Sequence, residues 1–233
     1  RPDSAGNQPL HLAAASGQQR TVKLLLGRGA DFTARNADGK SALDLLEDAV
    51  RAGRKSVGRS PAEAALQQGR ETTRLFLRAA LLEEARSAVL RGDADFLARI
   101  LDVMPEAARS KTLGLTPLHL AAVKNRAEAC RILLDAGCDV DVTGFTSRDG
   151  SAESTPLHLA AESGARDVVE LLISRGANVN AVNNFHRTPL FWAKKAGKTD
   201  VAELLAAHGA VADPSEIPTT PPASGTEETP ASR

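Results

Sequence analysis

Five histidines and two cysteines are the side chains of this 233-residue chain best suited to metal binding or catalysis: His11, His119, His158, His186, His208, Cys130 and Cys138. A zinc site needs such ligands in closely spaced pairs, and no His, Cys or carboxylate spacing here matches one. Three of the histidines instead share one local context, Leu-His-Leu-Ala-Ala, at 10–14, 118–122 and 157–161. A residue that recurs in fixed surroundings reads as scaffold. The stretch Gly53-Arg54-Lys55-Ser56-Val57-Gly58-Arg59-Ser60 has the outline of a phosphate-binding loop, with Arg in place of Lys. That chemistry needs a strand before the loop, a helix N-terminus after it and a lysine for the phosphates. Pro61 onward supplies a helix, but no strand-like run precedes. The chain is therefore expected not to be an enzyme, with no catalytic, cofactor-binding or metal-binding residue and no small-molecule substrate. Arg51, Arg54, Lys55 and Arg59 remain a basic loop able to meet an acidic partner, and phosphorylation of Ser56 or Ser60 would switch such a contact.

The elements that position the histidines return at a fixed spacing. Thr116-Pro117-Leu118-His119 reappears as Thr155-Pro156-Leu157-His158, and in altered form as Thr188-Pro189-Leu190-Phe191 and Gln8-Pro9-Leu10-His11. Pro156 and Pro189 are 33 residues apart, a period that marks a stacked-repeat architecture. In each copy the Thr suits a helix N-cap and the Pro suits the first helical position, where its missing N–H costs nothing. A turn at Gly164 closes that short helix. A second helix follows, with Val168, Leu171 and Leu172 on one face, and Gly176 ends it.

These residues resemble the ankyrin-repeat family, most clearly over 6–38 and 82–212. The resemblance implies an all-α ankyrin-repeat solenoid, in which each unit is two antiparallel helices plus a projecting finger and contacts run between neighbours. It also implies that the signature histidine ties its helix to a finger. Five repeats are expected, at about 6–38, from 39 onward, 82–113, 114–152 and 153–185, with a C-terminal cap from Arg187 to Gly209. The near absence of aromatic residues (3%, with no Tyr) fits thin layers of Leu, Ala and Val. His186 stands where the other fingers carry Gly39 and Gly114, so it is expected to adopt a left-handed backbone.

The second repeat loses register after Leu46. Residues 51–60 are read as an insertion inside or beside its first helix. From Glu71 to Arg91 there is no Gly or Pro, so one continuous helix across the junction is expected, with no finger between. The domains are accordingly 1–80, with the insertion at 51–60, then 81–212, then a Pro/Ser/Thr-rich tail at 213–233 expected to be disordered. Pro117 and Pro156 are 39 residues apart, six more than the period, which lengthens the loop at 144–153.

Lys plus Arg equals Asp plus Glu, 29 each, leaving no basic footprint for nucleic acid. No apolar run approaches the length of a membrane span. The chain opens on Arg1 rather than Met, which makes a fragment or a processed product the expectation. Two cysteines make no disulfide framework; they suit a reducing compartment, and the cytoplasm is the location favoured. The function expected is a protein–protein interaction module or scaffold that binds its partner through the fingers and the concave helix face. The alternative is a regulatory ankyrin segment of a larger enzyme or channel. Candidate contacts are Arg35, Asp38, Lys111, Leu113, Phe145, Arg148, Phe185 and Arg187, since aromatic and Arg side chains are the usual anchors of interfaces.

Overall fold

A computed structural model of the chain describes residues 1–54, 60–145, 153–212 and 215. Among these residues it holds eleven α-helices, one 3-10 turn and a two-stranded ribbon. Helices α1 (Pro9–Ala15) and α2 (Gln19–Gly27) form the first repeat, and α3 (Ala42–Arg54) opens the second. Helix α4 (Pro61–Arg91) is followed by α5 (Ala94–Val103) and the 3-10 turn Pro105–Arg109. Three regular pairs complete the array: α6 (Pro117–Val123) with α7 (Ala127–Asp135), α8 (Pro156–Ser163) with α9 (Arg166–Ser174), and α10 (Pro189–Lys195) with α11 (Thr199–Ala207). First helices pack on first helices and second on second, giving the nearest-neighbour spine of a solenoid. The core is a continuous seam of Leu, Ala and Val, from Leu10 and Val22 through Leu118 and Leu157 to Leu205.

The second repeat departs from the sequence reading. Helix α3 runs unbroken past Leu46 to Arg54, with Leu43, Leu46 and Val50 buried along one face. The extra residues therefore lengthen the first helix and fall after it; 51–54 are helical, and 55–59 lie outside the described residues. Ser60 starts α4 with a reciprocal cap: its Oγ accepts from the Glu63 N–H, and the Glu63 carboxylate accepts from the Ser60 N–H at 2.8 Å. The continuous helix expected over 71–91 thus begins ten residues earlier, and it passes residue 80 without a break. Its first half serves as the second helix of repeat two, packed on α2 and α3; its second half serves as the first helix of repeat three, packed on α5 and α6.

Gly69 lies inside α4, where glycine ordinarily weakens a helix. It sits there because α4 crosses the α1–α2 turn at Gly17. A Cβ on Gly17 would lie 2.6 Å from the Arg70 nitrogen, and one on Gly69 would lie 3.1 Å from the Gly17 oxygen. The crossing is fastened by Arg70, whose Nε donates to the Ala15 carbonyl at the end of α1.

No finger separates repeats two and three, so the finger of repeat one reaches onto α5. Phe32 packs on Phe96 with ring centroids 5.9 Å apart. Arg99 binds Asp31 and Thr33, and Arg35 binds Asp102. Partial burial raises the Asp31 carboxyl, but hydrogen bonds from Thr33 and Arg99 outweigh it and hold it below the usual range. Beside this contact, alternating charges run Arg54, Glu71, Arg74, Glu47, Arg78, Glu106, and link α3, α4 and the 3-10 turn. No helix of the described residues is long and apolar enough to cross a membrane.

Candidate protein-binding surface

The signature histidines lock finger to helix. Nδ1 of His119 accepts the Thr116 N–H at 3.3 Å, and Nδ1 of His158 accepts the Thr155 N–H at 3.2 Å. A backbone N–H can only donate, so the ring proton must sit on Nε2. Nε2 then donates to a carbonyl in the next finger: Ser154 for His119 and Arg187 for His158, each at 3.0 Å. His11 makes the same pair of bonds, to the Gln8 N–H and the Lys40 carbonyl. Burial pushes the pKa of both His119 and His158 down to about 4, against a smaller opposing effect of the carbonyl bonds. These rings are neutral braces with both nitrogens occupied. In the cap Phe191 replaces the histidine, and Thr188 Oγ1 instead donates to the Val211 carbonyl at 2.6 Å.

The cysteines and the remaining histidines sit in structural positions. Cys130 is buried, and burial pushes its thiol up to about 12. Burial also raises Cys138, whose thiol donates to the Ala108 carbonyl. Gly53 and Arg54 form the last turn of α3, so a helix and not a strand leads into the 53–60 stretch. His186 adopts φ +52, and His208 Nδ1 bonds the Leu204 carbonyl at the end of α11. Among the described residues no three His, Cys, Asp or Glu side chains converge as a metal site.

The candidate contacts fall into two groups. Arg35 and Asp38 belong to the first finger. Arg35 is spent on Asp102 and the Gly39 carbonyl within the chain, and the Asp38 N–H closes a turn on Asn36. The other group lies along the last three fingers. Thr112 and Leu115 exchange backbone hydrogen bonds around Leu113 (φ +53) and Gly114 (φ +81), a tight turn with both central residues left-handed. Leu113 at its tip is 92% exposed, with Lys111 exposed beside it. Phe145 packs its Cβ on Gly114, and its N–H bonds the Gly114 carbonyl. Phe145 lies in strand β1 (Gly144–Phe145), opposite Glu153 of β2 (Glu153–Ser154). The Glu153 N–H bonds the Asn184 side chain, which places Phe185 one finger further along. Phe145 is 43% and Phe185 47% exposed. Arg187 lays its guanidinium 4.5 Å above the Phe191 ring. Arg148 lies outside the described residues.

Sequence reasoning missed Gly17, Gly69 and Arg70 at the crossing and Arg99 and Asp102 on α5. Gly69 was the one visible signal, as a glycine in an otherwise helical run.

Known proteins share this pattern. A family model described as ankyrin repeats in three copies matches residues 85–183 and 143–217, and a single ankyrin-repeat model matches 5–37. The E3 ubiquitin-protein ligase XBAT32 of Arabidopsis thaliana is 30% identical over 170 residues, covering 62% of this chain and 32% of that protein. The probable E3 ubiquitin-protein ligase XBOS32 of Oryza sativa subsp. japonica is 32% identical over 164 residues, covering 58% of this chain and 32% of its own length. The chain thus spans about a third of the length of these curated relatives. With the repeat signature, the helix pairs and the family models in agreement over most of its length, the chain belongs to the ankyrin-repeat family.

Proposed function

We propose that this chain binds a partner protein, without catalysis, along the row of finger tips formed by Leu113, Phe145 and Phe185. Leu113 carries the reading. A left-handed backbone costs a residue with a Cβ roughly 1–2 kcal/mol, and leaving a leucine in water gains nothing for the fold. Neither cost is recovered inside the chain, since the side chain is 92% exposed. Such an outlier points to function. The neighbouring tips are apolar too, and lateral hydrogen bonds order them in advance, which lowers the entropy lost on binding. The test joins Leu113→Ser, Phe145→Ser and Phe185→Ser in the full chain. A protein retained by the immobilised parent should bind the variant at least about tenfold more weakly, with the melting temperature unchanged. Equal affinity in both would place the contact elsewhere.

The ubiquitin ligases among the relatives favour a second reading: the array is the protein-binding segment of a larger enzyme. There it would hold a protein for a catalytic domain outside the described chain. Finding the open reading frame joined to such a domain would support this, and a frame encoding the array alone would remove it.

A further inference from the structure

The two ends of the solenoid differ in kind. Pro117, Pro156 and Pro189 are buried, but Pro9 is exposed. Leu159 is 6% exposed, whereas its counterpart Leu12 is 49% exposed. Ala129, Val168 and Val201 are buried, but Thr21 in the same position is exposed. Leu133, Leu172 and Leu205 are fully buried, and Leu25 is only half-buried. The cap α10–α11 has no described repeat after it, yet Pro189, Val201 and Leu205 are buried there. These positions are therefore covered by the preceding repeat, and in repeat one they line an open, shallow cleft with Arg1 and Asp3 at its rim.

The trailing end is finished differently. Lys194 takes the place of Ala161, which is fully buried, and is exposed; Ala202 takes the place of buried Val169. A charged and shortened outer face is how a terminal repeat meets water. The leading face has little of this. Gln18 stands for Ala165, Thr21 keeps the shape of a valine, and Asn7 and Ser16 add polar groups, but Pro9, Leu12, Ala13 and Leu25 leave an apolar centre.

We propose that the leading face of repeat one is a stacking interface for a further helix pair of the same kind, continuous with the interfaces inside the array. Its occupant presents a small residue where Ala161 stands and a branched one where Val169 stands. A second copy docking its trailing end is disfavoured, because Lys194 would be desolvated at a face whose one rim carboxylate, Asp3, is already bonded to Ala5 and Asn7.

The experiment duplicates Thr155–Arg187 in register before Gln8, in place of residues 1–7, in the otherwise full chain. The added unit brings the trailing face that already accepts α10–α11. The melting midpoint should rise by about 5–10 °C, and exchange of the α1 amides should slow at least about tenfold. Leu12→Glu with Thr21→Glu should abolish both gains, while shifting the parent chain's midpoint by no more than about 2 °C. A duplicated chain that melts no higher than its parent, with unchanged α1 exchange, overturns the proposal. So does sedimentation of the parent as a dimer that Leu12→Glu dissociates, which would make a second copy the occupant.

Discussion

Mild acid should weaken this array well before its carboxylates titrate. His119 and His158 are braced as neutral rings, with pKa values near 4 in the folded chain against 6.5 in the free side chain. Between those values the unfolded chain binds protons that the folded chain refuses, so stability falls as the pH drops. Above pH 6.5 the effect vanishes, and below pH 4 it is complete. From pH 7.5 to 5 the loss is about 2 kcal/mol for each ring, or about 4 kcal/mol for the pair. Urea unfolding followed by circular dichroism at pH 7.5, 6.5, 5.5 and 5 measures it. His158→Gln removes one titrating ring. It should lower stability at pH 7.5, because one amide cannot serve both the Thr155 N–H and the Arg187 carbonyl as the ring does, and it should halve the pH dependence. A parent stability that changes by less than about 1 kcal/mol between pH 7.5 and 5, or a Gln variant that keeps the full slope, would refute the neutral-brace account.

Gly17→Ala should destabilise the chain by at least about 2 kcal/mol in denaturant melts, since the new Cβ meets the α4 backbone at a left-handed position; a loss under about 0.5 kcal/mol would show that the crossing can slide apart. Leu113→Gly should stabilise by up to about 1 kcal/mol by relieving the left-handed leucine, while weakening partner binding; a destabilised variant would mean that Leu113 packs on something after all.

The periodic parts of the fold were open to sequence reasoning because they follow local rules. Thr then Pro starts α6, α8 and α10, Gly164 and Gly176 punctuate the fifth repeat, and His186 was placed in a left-handed turn because it stood in a glycine's position. The irregular parts rest on contacts between residues far apart in the chain. Nothing near Asp31 or Arg35 announces that Arg99 and Asp102 will bind them; those pairs form because a finger is missing between repeats two and three. Arg35 accordingly looked like a contact for a partner and is held by the chain's own α5. Helix from Pro61 was legible, but Gly69 looked locally like a break before Glu71, and only the close approach of Gly17 explains why a glycine stands inside an unbroken helix. Of the candidate contacts, Leu113, Phe145 and Phe185 were identified by type and position, but their arrangement in one row depends on the Gly114, Glu153 and Asn184 hydrogen bonds.

Helix α4 also changes how the molecule would respond to a pull. Its 31 residues make a rod about 46 Å long, shared by two repeats. An array with a finger at every junction can surrender one unit at a time under tension, each loss giving a similar extension. Here repeats two and three have no seam between them, and the first finger is buckled onto α5 beyond it. Force applied at the ends would first peel the regular pairs from the C-terminal side. The block spanning α3 to α5 would then yield as a single, larger event, so the chain would behave as a soft spring in series with one stiff link.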